Sequence, residues 1–286
     1  MKNICFFLLF FTLISSCKKV EDVIVDGNTI PPDHTIDNTI IENYINKLYI
    51  STIGREPIET EFNANFQTLR NADLSQSSRE EVIDDVLSKV DYADNLFELE
   101  SANILNGVDT SMINNIINTY EFILQTLSGI DSVFVNYELE RMRKLQEVLP
   151  GLINESISTI ETHKRMVNNY YYDEINMGTE NFVVSIFQNF LNRYPTLTEV
   201  ENSSQMVDGL NSSIFNINGG TKDDFIDIFF SSNEYYTGQT QTLFNRYLFR
   251  NPSSEESVDY SIEYISTGDY RNLQKQILST DEFIGL

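Results

Sequence analysis

Apolar residues recur at three- and four-residue spacing along most of the chain after residue 39, which is the period of amphipathic α-helices. A capping box at Thr39–Glu42 predicts the start of the first helix. In the middle of the chain, three apolar stripes predict long helices that pack beside the rest of the protein. They comprise Ile113, Ile116, Ile117, Tyr120, Ile123, Leu124 and Leu127; Val133, Phe134, Tyr137, Leu145, Val148 and Leu149; and Ile153, Ile157, Ile160, Val167 and Tyr170. The pattern predicts an all-α fold.

Three segments share one pattern. Each opens with an aliphatic–aromatic pair, and the sequence Arg-x-Pro-x-x-x-Glu begins six residues after the aromatic residue. Their sequences are LYISTIGREPIETE, IFQNFLNRYPTLTE and LFNRYLFRNPSSEE. The arginine is predicted in the last turn of a helix, where a cation complements the helix dipole, and the proline ends that helix. The glutamate belongs to a capping box for the next helix, which is incomplete in the first copy because Ile58 holds the cap position. The residues are Arg55, Pro57 and Glu61; Arg193, Pro195 and Glu199; and Arg250, Pro252 and Glu256.

A six-residue pattern follows each of these segments, as LSKVDY, FSSNEY and LSTDEF. Its serine, acid and aromatic residue predict a capping box with a hydrophobic staple, which fixes the angle at which the chain enters a helix. The pattern is therefore interpreted as scaffold rather than as a reactive site. The predicted caps are Ser88, Ser231 and Ser279, their acidic partners Asp91, Glu234 and Glu282, and the staple aromatics Tyr92, Tyr235 and Phe283.

The pairing of LY…GREP…E with a later Ser-x-x-acid-aromatic segment resembles a helical domain of cyanobacterial phycobilisome linkers and of a large uncharacterised family of bacterial repeats. The stretch from YINKLYISTIGREP to DNLFELE also resembles the start of an uncharacterised domain found beside bacterial cytochrome modules. The chain has no Cys-x-x-Cys-His, so the haem chemistry of those neighbours does not carry over. The resemblance implies an all-α unit used for assembly or attachment.

Together these patterns predict three helical repeat units, at residues 39–97, 181–237 and 238–286, with a long-helix insertion at 98–180. Both a bundle-like and a solenoid-like arrangement of the units are compatible with the pattern.

The first residues predict a membrane anchor. Lys2 and the apolar run Ile4–Ile14 are typical of a signal peptide, which we assign to residues 1–16. The run ends in Ile-Ser-Ser-Cys, which resembles the lipobox of bacterial lipoproteins and implies that Cys17 is lipidated. An ordinary secretory signal is the alternative. Residues 17–38 then form a flexible tether. Its Lys-Lys-x-Glu-Asp start resembles export signals of Bacteroidetes surface lipoproteins, which favours the cell-surface face of the outer membrane over the periplasmic one.

The charge balance limits the partners. The chain carries 43 acidic and 19 basic residues, a formal charge of -24, so binding to a nucleic-acid backbone is excluded and anionic lipid headgroups are disfavoured. The expected partners are the membrane, through the lipid, and one or more envelope proteins.

Few residues suggest chemistry. His34 lies in the tether and His163 is predicted on a charged helix face, and neither has metal-ligand spacing around it. The sequence therefore predicts no cofactor, no metal and no catalysis. A less favoured alternative is a glycan hydrolase that uses a pair of carboxylates. Tyrosine runs at 170–172 and 235–236 predict at least one exposed ring each, with Tyr171 and Tyr236 as candidate partner or glycan contacts. The leading hypothesis is a lipid-anchored envelope scaffold, and the alternative is a glycan-binding lipoprotein of a nutrient-uptake system.

Overall fold

Helices account for almost all regular structure in residues 36–286, the part of the chain that this computed structural model describes. The all-α prediction is confirmed for these residues. The helices are α1 (Asn38–Ile53), α2 (Glu59–Asn71), α3 (Gln76–Leu87), α4 (Val90–Leu105), α5 (Thr110–Leu124), α6 (Ile130–Gln146), α7 (Val148–Ile153), α8 (Thr159–Val167), α9 (Tyr170–Ile175), α10 (Thr179–Leu191), α11 (Leu197–Val207), α12 (Lys222–Phe230), α13 (Asn233–Leu248), α14 (Ser254–Thr267), α15 (Tyr270–Leu278) and α16 (Asp281–Ile284).

One small β-hairpin interrupts the helices. Strands β1 (Ser212–Ile214) and β2 (Ile217–Gly219) pair antiparallel between α11 and α12. The two residues that connect them, Phe215 and Asn216, both have positive φ, which is the conformation of a type I′ turn. The hairpin is not evident from the sequence, because phenylalanine is an unusual residue at such a turn.

The three helices that precede the repeated arginines end in the same way. The residue after α1, α10 and α13 is left-handed, with φ of 73° at Gly54, 55° at Asn192 and 56° at Phe249. Each of these residues directly precedes the arginine of the repeated segment. The prediction that the arginines lie in the last helical turn is therefore wrong, because the left-handed residue has already turned the chain away from the helix axis.

The helices before and after each arginine pack together. Helix α1 contacts α2, α3 and α4, while α13 contacts α10, α14 and α15. Gly238 allows the closest of these approaches, since a Cβ atom at this position would lie 2.0 Å from the backbone oxygen of Phe190 on α10. Only glycine fits such a crossing without a shift of one backbone against the other.

The first and last helices meet. The Lys47 ammonium donates to the Phe283 backbone oxygen at 2.7 Å, and Arg79 forms an ion pair of 2.7 Å with Asp281. Helix α3 also packs against α15. In an open solenoid each unit contacts only its neighbours, so these contacts favour a closed, bundle-like arrangement over a solenoid.

The predicted boundaries at 97/98, 180/181 and 237/238 fall within α4, α10 and α13, so a long helix crosses from each predicted segment into the next. Helix α4 also packs against α7, α8 and α9 of the insertion.

The chain enters α1 earlier than predicted. Asp37, rather than Thr39, caps the helix, because its carboxylate accepts from the Thr39 backbone N–H at 2.7 Å. Before it, the Ile36 backbone oxygen accepts from Arg70 at 2.9 Å. The last residues assigned to the tether are therefore held by the helical fold.

Candidate functional site

The three repeated arginines form three clusters of the same kind. Each arginine binds the glutamate six residues later and, across a gap of 32 to 41 residues, the acid of the six-residue pattern. In the second cluster, Arg193 Nη2 donates to Glu199 Oε1 at 2.6 Å and to Glu234 Oε2 at 2.6 Å. The corresponding sets are Arg55 with Glu61 and Asp91, and Arg250 with Glu256 and Glu282.

Each cluster also includes an aromatic ring and a backbone carbonyl. The guanidinium lies over the aromatic residue six positions earlier, at 5.9 Å from the Tyr49 ring, 5.0 Å from the Phe187 ring and 5.2 Å from the Phe244 ring. In every case it also donates to the backbone oxygen of the next residue. The aromatic residue of the repeated segment thus supplies the surface that the arginine contacts.

The glutamates of these clusters are strongly acidic. Their hydrogen bonds to the arginine lower the pKa of Glu61, of Glu199 and of Glu256 to about 2, and the N–H of the cap residue contributes to each shift. Arg250 likewise holds the pKa of Glu282 below its usual range. A carboxyl that stays ionised at neutral pH is a poor general acid. In each cluster the arginine links the helix that carries the glutamate to the helix that carries the second acid.

The predicted capping boxes have two outcomes. Those of the Arg-x-Pro segments are confirmed, since Thr196 with Glu199 and Ser253 with Glu256 form complete boxes. In the first copy Glu61 accepts from the Ile58 backbone N–H at 3.0 Å, and this half of the box is the one that forms.

The capping role predicted for Ser88, Ser231 and Ser279 is wrong. All three end the preceding helix, and the cap of the next helix is one residue later, at Lys89, Ser232 and Thr280. The acids then occupy the second helical position, from which they reach the arginine instead of their own cap. The aromatics move to the third position, and Tyr92, Tyr235 and Phe283 are buried in the core.

A buried polar centre lies between α4, α8 and α13. His163 Nδ1 is 2.8 Å from the Tyr235 hydroxyl, and its Nε2 is 3.3 Å from Glu100 Oε2. Arg246 Nη2 is 3.3 Å from Glu100 Oε1. Burial opposes the ionisation of Glu100, but His163 and Arg246 outweigh it and hold the Glu100 pKa below its usual range. Burial raises the pKa of Tyr235 well above its usual value.

The placement of His163 corrects the prediction that it lies on a charged helix face. Its side chain is fully buried against Phe190, while Glu161 and Arg165 form an ion pair of 2.7 Å elsewhere on the helix. The neighbouring charges in the sequence concealed an inward-facing position. Glu100, His163 and Tyr235 lie far apart along the chain, so sequence reasoning had no signal that joins them.

A polar cavity of about 200 Å³ opens beside this centre. Helix α4 contributes Glu100 and Asn103, and α13 contributes Gln239 and Arg246. The remaining lining residues are Ile104, Asn189, Phe190, Asn192 and Thr242. Most of these side chains carry hydrogen-bonding groups, which gives the cavity the lining of a polar small-molecule site.

One apolar surface is exposed on the α5–α6 hairpin. Ile130, Val133, Phe134 and Tyr137 lie on one face of helix α6 and are between 46% and 81% exposed. We name these four residues the α6 patch. The prediction that the second apolar stripe packs beside the rest of the protein is wrong for Val133, Phe134 and Tyr137. Further along, the stripe is buried at Leu145 and Val148. The hairpin extends past the helices that cover its base.

The tyrosine runs are less accessible than predicted. Tyr172 and Tyr235 are buried, and Tyr170, Tyr171 and Tyr236 are half-buried. The Tyr171 hydroxyl donates to the Met112 backbone oxygen at 2.8 Å, and the Tyr236 ring meets Tyr264 edge-on at 5.0 Å. Neither candidate contact residue is an open platform.

Cys17 lies outside the residues that the structure describes, as do the predicted signal peptide and most of the tether. Between residues 36 and 286, no helix combines the length and apolar character needed to span a bilayer. Within the same range, no three His, Cys, Asp or Glu side chains are grouped so that they could hold a metal ion.

Comparison with protein-family models, with curated proteins and with solved structures gave no match.

Proposed function

We propose that this protein is a non-catalytic, lipid-anchored scaffold or accessory subunit of a protein complex at the outer membrane or cell surface, and that it binds its partner protein through the α6 patch. The observation that supports this proposal most directly is the α6 patch itself. The exposure of four large apolar side chains to water is unfavourable. A partner surface that buries them would stabilise the complex relative to the separate proteins.

The composition of the hairpin favours an apolar partner surface. Between Thr110 and Tyr137 the only charged residues are Glu121 and Asp131, in a chain that is 22% charged. Glu121 is already paired with Arg143 at 2.9 Å. A patch with aromatic and aliphatic residues and few charges has the composition of the core of a protein–protein interface.

The membrane anchor rests on the sequence Ile-Ser-Ser-Cys at residues 14–17, which precedes a segment long enough to hold the helical body away from the lipid. The arginine clusters support the scaffold part of the proposal, because their charged groups are engaged with one another in joining helices.

The anchor is tested by fractionation of cells that express the Cys17→Ser variant. We expect the wild-type chain in the outer-membrane fraction, labelled by a palmitate analogue, and the variant without label and released from that fraction. Equal membrane retention and labelling of both chains would contradict lipidation at Cys17.

The partner surface is tested by mild crosslinking in intact cells followed by affinity purification. Ile130→Asp with Phe134→Asp removes two apolar contacts worth roughly 1.5 kcal/mol or more each, so partner recovery is expected to fall on the order of hundredfold. Leu197→Asp places the same charge at a leucine that is 91% exposed on α11 and serves as the matched control. Recovery of the wild-type chain as a free monomer alone, or equal recovery of partner with all three proteins, would contradict the proposal.

A further inference from the structure

The cavity beside Glu100 contains a polar group that the protein leaves unsatisfied. The Gln239 side chain is 3% exposed and lines the cavity, and within residues 36–286 its amide makes no hydrogen bond. Its amide is not sealed from solvent and therefore meets the open space of the cavity. A ligand that occupies the cavity can pair with this amide in place of water.

Other lining groups also have hydrogen-bonding capacity in reserve. Asn189 uses its Nδ2 to donate to the Tyr172 hydroxyl at 3.2 Å, which leaves its Oδ1 as an acceptor. Arg246 directs Nη2 toward Glu100, while a guanidinium carries five N–H donors in all. Asn103 lies at the rim, exposed and without a hydrogen bond in the described chain. Donors and acceptors therefore surround the same space.

The charges in the cavity disfavour an ionic ligand. Glu100 and Arg246 lie 3.3 Å apart and compensate each other's charge, so the pair offers no net charge to an ammonium or a carboxylate. Side-chain amides instead suit hydroxyl groups, because a hydroxyl both donates and accepts. The two apolar lining residues, Ile104 and Phe190, are buried, so the polar side chains are the groups that a ligand would meet.

The size of the cavity limits the ligand to one ring. Its volume of about 200 Å³ corresponds to roughly seven water molecules. We propose that this cavity binds a single monosaccharide unit, either as a free sugar or as the terminal residue of a glycan. This inference is independent of the scaffold proposal, since the cavity between α4, α10 and α13 does not include any residue of the α6 patch.

The test is calorimetric titration of the purified, detergent-solubilised full-length protein with D-glucose, D-galactose, D-mannose and N-acetyl-D-glucosamine. We expect saturable binding of at least one of them at a 1:1 ratio. A disaccharide that ends in the same unit separates the two sources of ligand. Binding of the disaccharide with equal or higher affinity indicates a glycan end, and binding of the monosaccharide alone indicates a free sugar.

Two variants locate the site. Gln239→Leu keeps the size of the side chain and removes the amide, and we expect it to weaken binding about tenfold. Asn103→Ala removes an exposed side chain that makes no hydrogen bond, so the fold is retained, and we expect binding to weaken about threefold or more. Asn118→Ala, at an exposed asparagine on α5, is the matched control and leaves the affinity unchanged.

Three results would overturn the inference. The first is that none of the four sugars binds saturably. The second is that both single variants, Asn103→Ala and Gln239→Leu, bind sugar with unchanged affinity. The third is that glycine binds saturably and the sugars do not. If Gln239→Leu fails to fold by circular dichroism, Asn103→Ala decides the location by itself.

Discussion

Removal of the Glu199 charge is expected to destabilise the protein in a pH-dependent way. In the folded protein Glu199 accepts from two nitrogens of Arg193 and from the Thr196 backbone N–H, which together lower its pKa from an ordinary value of 4.5 to about 2. Because the folded state favours the ionised form, the cluster contributes its full stability above pH 4.5. That stability is lost as the pH falls toward 2.

The magnitude follows from the size of this pKa change. A fall from 4.5 to about 2 corresponds to roughly 3 kcal/mol if all of it acts on folding. The side chains of Arg193 and Glu199 are 33% and 20% exposed, so water screens part of the interaction. We therefore expect Glu199→Gln to lower the free energy of unfolding by about 1–2 kcal/mol at pH 7, with more than half of the difference gone by about pH 3.

The assay is urea denaturation at pH 7, 5, 4 and 3, monitored by circular dichroism. Glu201→Gln is the matched control, because Glu201 is exposed on the same helix and forms no ion pair in the described chain. We expect the control to change the free energy of unfolding by less than about 0.5 kcal/mol. A Glu199→Gln effect that equals that of the control, or one that stays constant between pH 7 and pH 3, would refute the reasoning.

Three further predictions concern single positions. Phe249 has a left-handed backbone, with φ of 56°, and its side chain is 84% exposed. This conformation strains residues other than glycine, so Phe249→Gly is expected to raise the free energy of unfolding by about 1 kcal/mol in urea denaturation. An unchanged or lower value would contradict the presence of this strain. Gly238→Ala forces a Cβ atom toward the Phe190 backbone oxygen, so it is expected to lower the free energy of unfolding by about 2 kcal/mol or more in the same assay. An unchanged free energy of unfolding would contradict the close approach of α10 and α13. Glu100→Gln leaves Arg246 without its carboxylate and is expected to cost about 3 kcal/mol in thermal denaturation, and full retention of stability would show that this pair is not important for folding.

The sequence was sufficient for predictions that depend on local spacing. Amphipathic periodicity identified an all-α chain, and Thr196 and Ser253 were recognised as caps because both halves of a capping box lie within four residues. The serines of the six-residue pattern were misassigned by one position. Two hydroxyl residues are adjacent at Ser231–Ser232 and at Ser279–Thr280, and local spacing does not decide which of them begins the helix.

Contacts across the chain were beyond the reach of the sequence. The arginine and the acid of the six-residue pattern are 36, 41 and 32 residues apart in the three clusters, so no fixed spacing connects them. The buried Glu100–His163 contact and the cavity beside it depend on how α4, α8 and α13 pack. The same holds for the α6 patch, because its apolar residues follow the pattern of a buried helix and only the tertiary structure leaves them exposed.

The proposal that the α6 patch is the partner-binding surface is tested most directly by site-specific photocrosslinking in intact cells. A photoreactive amino acid replaces Phe134 in the patch, and Leu197 on α11 serves as the comparison position, since both side chains are exposed. The account predicts one discrete protein adduct from position 134 that is lost with Ile130→Asp, and none from position 197. The same adduct from both positions, or none from position 134, would contradict it.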